Sequence, residues 1–335
     1  MKEHYERYGY TCSEANLATL PSTAPQAVKD LTKWLTLEGR RSSLEEYLGV
    51  VQPDSRIHGK FWHIGAWTQR MSHSNPNQAN IPSVPHGDPQ TPVEEIKHKY
   101  DGRIRSLFQA SPGCLLVGTD ADAIQLRILA HYMEDADFIM ALESGKKEDG
   151  TDAHTLNMKK LGAVCKDRDT AKTFIYAWLL GAGTDKVAQI LGCNRSQAKD
   201  AVDRFIASYP GLNRLKKVII PRDAKRGYFI GLDGRKVACD SEHLMLAGYL
   251  QSGEAIVMKR ALGLWHMQLT DSKTSFKIVD FVHDEWVTEI KGGLEEAERV
   301  GYVQRSAIAS VGVGLGLKCK LEGTTKIGKT WKDVH

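Results

Sequence analysis

One short segment, Phe281-Val282-His283-Asp284-Glu285-Trp286-Val287, constrains this chain more than any other, because two adjacent carboxylates stand between two runs of strand-forming residues. Ile278-Val279 before it and Val287-Thr288-Glu289-Ile290 after it are β-branched and apolar, the composition of a hairpin anchored in a core. Two carboxylates at such a tip hold a divalent cation at a fixed place. Taken alone, an Asp-Glu pair in a turn is more often ordinary turn chemistry. A second acidic site shifts the balance. Asp120 ends the apolar run Cys114-Leu115-Leu116-Val117-Gly118-Thr119, and a helix-like pattern from Ile124 to Tyr132 follows it. Asp120 and Asp284 can meet only if their strands share one sheet, which is the usual geometry of two-metal phosphoryl transfer.

The 335 residues, 41% hydrophobic and 26% charged, are ample for one large or two ordinary globular domains. A formal charge of +4 neither argues for a nucleic-acid partner nor excludes one, since a basic cleft can hide within a balanced total. Cys12, Cys114, Cys165, Cys193, Cys239 and Cys319 show no CxxC spacing, which points to reduced, buried thiols. The N-terminal residues lack the apolar core of a signal peptide, and no run of about 18 apolar residues exists. The sequence therefore reads as a soluble protein of the cytoplasm with no membrane partner.

Pro21 to Pro25 reads as a linker ending in a helix start. Val28, Leu31, Trp34, Leu35 and Leu37 then recur at helical spacing, with a break at Gly39-Arg40-Arg41. Residues 57–67 suggest a strand pair around a glycine turn, and the Asn- and Pro-rich residues 68–82 an irregular segment, either a solvent loop or one ordered for a reason. Thr151 or Asp152 can cap the next helix. In Arg168 to Gly183, steps of four residues advance about 40° each, so Arg168, Lys172 and Tyr176 share one face while Phe174, Ile175 and Trp178 point elsewhere. That face could grip a polyphosphate, with the ring placed for a base or sugar, or it is simply a solvated cationic face. Further helices are expected over residues 184–226, with Ser196 as a cap and Tyr209-Pro210-Gly211 as a turn. A hairpin turning at Asp233-Gly234 follows. Then come a helix from Leu244 to Leu264 carrying Gln251, the carboxylate hairpin, a helix from Leu294 to Val311 and a strand near Leu317 to Leu321.

In this order the segments resemble the family A DNA polymerases, the class of bacterial DNA polymerase I, and most of all the replicative polymerases of short-tailed bacteriophages. The resemblance runs from about residue 26 to the last residue. Asp120-Ala121-Asp122-Ala123-Ile124-Gln125-Leu126-Arg127 is similar to the motif whose aspartate binds both catalytic metals, and Arg168 to Gly183 to the nucleotide-gripping helix. Val282-His283-Asp284-Glu285 is similar to the carboxylate hairpin. Thr68-x-Arg70 with Pro76-Asn77 and Asn80-Ile81-Pro82 is similar to the segment that follows the primer strand, and Gly231 to Val237 and Gln251 also match.

The resemblance implies an α+β fold, the antiparallel palm of a right-hand polymerase with inserted helical fingers, and little of a thumb or exonuclease domain. It implies an N-terminal helical segment over 1–49, palm over 50–147 and 230–335, and fingers over 148–229. It implies template-directed DNA synthesis with two Mg²⁺ ions, for which Mn²⁺ can substitute, held by Asp120, Asp284 and the carbonyl of Ala121, with Glu285 as a support. Arg168, Lys172, Tyr176 and His154 would meet the incoming deoxynucleoside triphosphate, Lys172 also acting in catalysis. Arg70, Asn77, Gln251, His283 and Arg235 would meet the primer-template DNA. If phage-encoded, the protein would work in the host cytoplasm.

Departures matter as much. At Gln125 the family ordinarily has a Glu that excludes a 2′-hydroxyl, and at Leu180 an aromatic that bonds that Glu. With both changed, an amide facing Leu avoids a stranded charge, and somewhat weakened sugar discrimination is expected. Tyr176 goes, in the family, with acceptance of dideoxynucleotides. Gln69, Gln78 and Ala247 also depart from common family residues. Only about 50 residues precede the expected palm, so either a second polypeptide carrying thumb and exonuclease docks near Trp34 and Leu35, or the protein is a minimal polymerase. A ribonucleotide-tolerant polymerase or primase, a metal-dependent nuclease and a non-catalytic DNA-binding subunit are the competing readings.

Overall fold

The structure, a computed structural model, describes residue 17 and residues 23–335 apart from 86 and 90. Cys12 and the first part of the expected linker lie outside the described residues. Among the described residues, helix α1 (Gln26–Val50) is followed by the short strands β1 (Lys60–Trp62) and β2 (Ser72–Ser74), helix α2 (Pro92–Ser106) and strand β3 (Cys114–Ala121). Helices α3 (Ile124–Met133), α4 (Ala136–Glu143), α5 (Ala153–Leu161), α6 (Arg168–Leu179), α7 (Thr184–Leu191), α8 (Arg195–Ala207), α9 (Pro210–Arg214) and α10 (Ile220–Arg226) come next. The hairpin β4 (Tyr228–Ile230) and β5 (Lys236–Ala238) leads into the long helix α11 (Glu242–Asp271). Strands β6 (Phe276–Val282) and β7 (Glu285–Lys291), helix α12 (Gly293–Gly314), strand β8 (Gly323–Gly328) and helix α13 (Trp331–Val334) complete the α+β fold.

The central sheet is antiparallel, in the order β6-β7-β3-β8. Strand β3 is buried from Leu116 to Thr119 without alternation because both its faces are covered, Thr119 meeting Gln304 of α12 on one and Gly118 lying against Val334 of α13 on the other. Helix α12 covers β3 and β8, and α11 packs on α12. A fully buried glutamine fixes that helix over two strands at once. The hydroxyl of Thr119 in β3 donates to Gln304 Oε1 at 2.7 Å, and Gln304 Nε2 donates to the Thr288 hydroxyl in β7 at 2.9 Å. Because a buried amide without partners is expensive, this arrangement specifies the β3–β7 pairing. Trp286 in β7 is fully buried and packs edge-on against Trp265 of α11, with ring centroids 5.7 Å apart. The carboxylate hairpin is therefore anchored in the core behind its turn.

The structure moves several expected boundaries. Helix α1 runs unbroken through Gly39, where Arg40 makes a bidentate bond to Asp101 of α2 at 2.7 and 2.9 Å and Arg41 pairs with Glu38 and Glu45 along the helix. β1 pairs with β2, across the residues between them, so the strand partner lies inside the Asn- and Pro-rich stretch rather than within residues 57–67. Asn194, not Ser196, caps α8, because its side chain and that of Gln197 form a reciprocal capping box. Tyr209-Pro210-Gly211 starts a helix rather than a turn. The last strand falls at Gly323–Gly328, where it pairs with β3.

Candidate active site

The register of the sheet brings the two acidic segments to one corner. Asp120 in β3 stands opposite Glu285 in β7, and Val282 pairs with Glu285 across the hairpin. The loop therefore consists of His283 and Asp284 alone, and Glu285 belongs to the strand, not to the tip. The amide of Ala121 donates to the carbonyl of Asp284 at 3.0 Å, which extends the β3–β7 pairing into the loop. Two non-glycine residues take the left-handed backbone here, Ala123 with φ 48° and His283 with φ 53°. Such conformations are held only where the surroundings dictate them.

Asp120 opens to solvent at the strand end, yet the protein packed around it and the charges of Glu285 and Asp122 push its carboxyl up to about 7. Burial, then Glu254 and Asp120, push Asp284 well above the usual carboxylate range. Two carboxyls that resist ionisation because they are buried among other carboxylates are relieved by a divalent cation. Among the described residues no three His, Cys, Asp or Glu side chains converge as a ready metal cage. A two-carboxylate set of hard oxygens nevertheless suits Mg²⁺, which is held through one or two carboxylates with substrate oxygens and water completing its shell. Glu285 is buried beside the pair. His335 Nδ1 donates to its Oε2 at 2.6 Å, while its Oε1 has no partner.

Helix α6 faces this corner. Phe174, Ile175 and Trp178 are buried, as the helical spacing predicts, leaving Arg168, Lys172 and Tyr176 toward the open side. Burial, then Asp284 and Asp120, hold the Tyr176 proton more tightly, which places the ring near both carboxylates. Lys172 is exposed. Arg168 Nε lies 3.0 and 3.2 Å from the two carboxylate oxygens of Asp152, the N-cap of α5. Burial works against the Asp152 charge, but Arg168, the Thr155 hydroxyl and the His154 amide outweigh it and hold Asp152 at about 2. The His154 ring stands 6.0 Å from that of Tyr176, and burial together with Arg168 pushes it down to about 4, so it is neutral near pH 7. Leu180, just past the helix end, is 50% exposed.

On the other side, Arg70 reaches Glu254 of α11 with Nη2 at 2.5 Å, and Gln125 Nε2 donates to the same Oε2 at 2.9 Å. The hydrogen-bond partner of Gln125 is thus a buried carboxylate, which replaces the expected explanation that the amide merely avoids a charge against Leu180. Gln251 is half-buried one helical turn before Glu254. Burial and Arg70 keep the exposed loop residue His283 below its ordinary value. Asn77 and Arg235 are engaged locally, Asn77 capping a short 3₁₀ turn through the Ala79 amide at 3.2 Å and Arg235 pairing with Asp233 at 2.5 Å. Glu254 and His335 escaped the sequence reading, which took Asp152 only as a helix cap. Glu254 lies in a helix whose residues 252–258 are all buried, so no single apolar face marked it in the sequence.

The profile described as DNA polymerase family A matches residues 1–333. The chain belongs to DNA polymerase family A. Among relatives of this family A chain, the DNA-directed DNA polymerase of Enterobacteria phage T3 is 30% identical over 92% of the chain and 46% of its own length. The corresponding enzyme of Escherichia phage T7 is 31% identical with the same coverage, and DNA polymerase I of Chloroflexus aurantiacus is 26% identical over 97% of the chain and 34% of its own length. The chain thus spans less than half the length of these relatives. Its fold superposes on the POL domain of Pol1 from M. smegmatis, in complex with DNA primer-template and dNTP, with a TM-score of 0.81. That match covers 97% of this chain and 57% of that one at 22% identity. The palm-and-fingers fold of the family is therefore the fold of this chain.

Proposed function

We propose that this chain extends a primer 3′ end with deoxynucleotides on a DNA template. The observation that supports the reading is that the β3–β7 register sets Asp120 opposite Glu285, next to the loop residue Asp284 whose carbonyl accepts the Ala121 amide, with both aspartates made reluctant to ionise by burial and by neighbouring carboxyls. The names of the phage relatives and the nucleic acid held by the mycobacterial neighbour point the same way. Residues 50–147 and 230–335 form the palm and 148–229 the fingers in this reading.

In the reaction, the primer 3′-hydroxyl gives up its proton to water, its oxygen forms a bond to the α-phosphorus, the bond from that phosphorus to the α,β-bridging oxygen breaks, and pyrophosphate leaves with that bond's electrons. Asp120, Asp284 and the Ala121 carbonyl would hold two Mg²⁺ ions, whose chemistry is to favour the ionised hydroxyl and offset phosphate charge. Lys172 and Arg168 balance charge on the departing pyrophosphate, Arg168 held ready by Asp152. Tyr176 offers its ring to the base, with neutral His154 beside it. Glu285, anchored by His335, supports the strand end that carries Asp120. Arg70, Gln251 and His283 line the primer side, with Asn77 and Arg235 further out. A second polypeptide is proposed on α1, where Leu31, Trp34 and Leu37 are exposed.

Primer extension by the purified chain with Mg²⁺, run with deoxynucleotides and with ribonucleotides over a salt series, tests the reading. Nucleotide-dependent extension supports it. A folded chain that cleaves DNA without extending it would instead be a metal-dependent nuclease.

A further inference from the structure

Glu254 is fully buried in a stretch of α11 where its neighbours Ser252, Gly253 and Ala255 are small, as expected of a helix packed closely against other elements. A carboxylate is out of pattern there, and burying one is expensive unless it is paired. Its Oε2 takes both available partners, Arg70 Nη2 at 2.5 Å and Gln125 Nε2 at 2.9 Å, while Glu254 Oε1 and Arg70 Nε remain without partners. One carboxylate thus ties the loop before β2, the first turn of α3 and the long helix, beside Asp284 and His283, both of which feel its charge.

The consequence falls on Gln125. Its amide nitrogen is committed to Glu254, which fixes the side-chain orientation and leaves the carbonyl oxygen as its other polar atom. Resting on the polymerase reading above, a nucleotide with its phosphates at Asp120 and Asp284 and its base at Tyr176 has its sugar between them, over the strand end from which the first turn of α3 departs. Gln125 is in that turn.

We propose that Glu254 is the positioning residue for sugar selection, holding the Gln125 side chain against the sugar of the incoming nucleotide so that a 2′-hydroxyl meets a fixed obstacle. Discrimination then depends on a buried carboxylate donated by another helix, and Gln125 and Glu254 act as one amide–carboxylate unit. Two carboxylates in these positions would repel each other, whereas exchanging the two residue types keeps one charge and one amide.

The test is single-nucleotide incorporation of dCTP and CTP by the wild type, Glu254→Gln, Gln125→Glu and the exchanged double variant, with thermal unfolding of each. For Glu254→Gln the ratio of kcat/KM for dCTP over CTP is expected to fall about tenfold, with KM for dCTP rising more than kcat falls. Gln125→Glu is expected to lose both Tm and activity, and the double variant to recover them toward wild type. A Glu254→Gln variant with an unchanged ratio, or a double variant no better than Gln125→Glu in Tm and incorporation, overturns the role of Glu254. A wild type that extends no primer overturns the polymerase reading itself.

Discussion

The Ala121 amide donates to the Asp284 carbonyl at 3.0 Å, just beyond the register pair of Asp120 and Glu285, so backbone bonds hold the main chain of Asp120 and Asp284 in place. Removing one carboxyl therefore leaves the corner standing. Asp284→Ala is expected to lower incorporation at least about 10²-fold while retaining fold and DNA binding, as read by single-turnover extension and gel shift on the same preparation. Substantial extension by this variant would show that the carboxylate is not needed.

The raised proton affinities at this corner give metal binding a definite pH dependence. Asp120 in the fold holds its proton to about pH 7, against 3.8 ordinarily, so a cation must displace that proton below this point. Apparent Mn²⁺ or Mg²⁺ affinity is expected to rise with pH up to about 7 and then level off, about tenfold per unit for each proton displaced. The sign for stability is the opposite in the metal-free protein. A carboxyl raised in the fold favours folding at low pH and loses that contribution as pH climbs from about 4 to about 7. The Tm gain from Mg²⁺ should thus be larger at pH 8 than at pH 6, and equal gains would contradict the picture.

Asp280 offers a test away from the chemistry. It is almost wholly buried in β6. One oxygen accepts the Phe281 amide at 2.8 Å and the other has no partner. Burial, reinforced by Glu285, pushes it up to about 7. An asparagine keeps the acceptor and removes the charge. The stability gained by Asp280→Asn should grow between pH 5 and pH 8 by on the order of 2 kcal/mol, measured by urea unfolding at the two pH values. A gain that does not change with pH would mean that the carboxyl titrates alike in both states.

Residue type made part of this molecule legible before any coordinates. Asp284 and Asp120 were visible because an acidic residue at the end of an apolar, β-branched run is an unusual place for charge, and Arg168, Lys172 and Tyr176 because four-residue steps put them on one face. Glu254 was hidden by its surroundings. A single Glu in a long helix says nothing of which face is buried until α11 has packed, and its partners Arg70 and Gln125 lie far away in sequence. Asp152 looked only like a cap, since its second role needs α6 folded back beside α5. The misplaced last strand has the same origin, because Thr324, Thr325 and Ile327 favour a strand but the segment is only six residues long with a glycine at each end, and it becomes a strand by pairing with β3.

His335 Nδ1 donates to Glu285 Oε2 at 2.6 Å, and the other Glu285 oxygen is buried and unpartnered. His335→Ala would leave a carboxylate with no partner beside Asp120. The loss should be about 1–3 kcal/mol in stability, with a weaker apparent metal affinity below pH 7, because Glu285 raises and His335 lowers the proton affinity of Asp120. Differential scanning calorimetry and Mn²⁺ titration would both register it. Unchanged values would mean that water replaces the imidazole without loss.

Asp152 does two things at once, and a mutation separates them. Its carboxylate accepts the His154 amide at 3.0 Å as the cap of α5, and it also holds the Arg168 guanidinium at 3.0 and 3.2 Å. Asp152→Asn keeps most of the cap, since Asn and Asp cap comparably, but it gives up the charge that holds Arg168. Asp152→Ala loses both. If Asp152 matters only to α5, the Asn variant should behave like wild type and the Ala variant should lose about 1 kcal/mol with no kinetic change. If it aims Arg168 at the triphosphate, both variants should raise KM for the nucleotide several-fold, and Asp152→Asn should do so with little change in Tm. The second pattern is expected, because two oxygens on one guanidinium fix its plane, and the bonds that would bind a triphosphate depend on that plane.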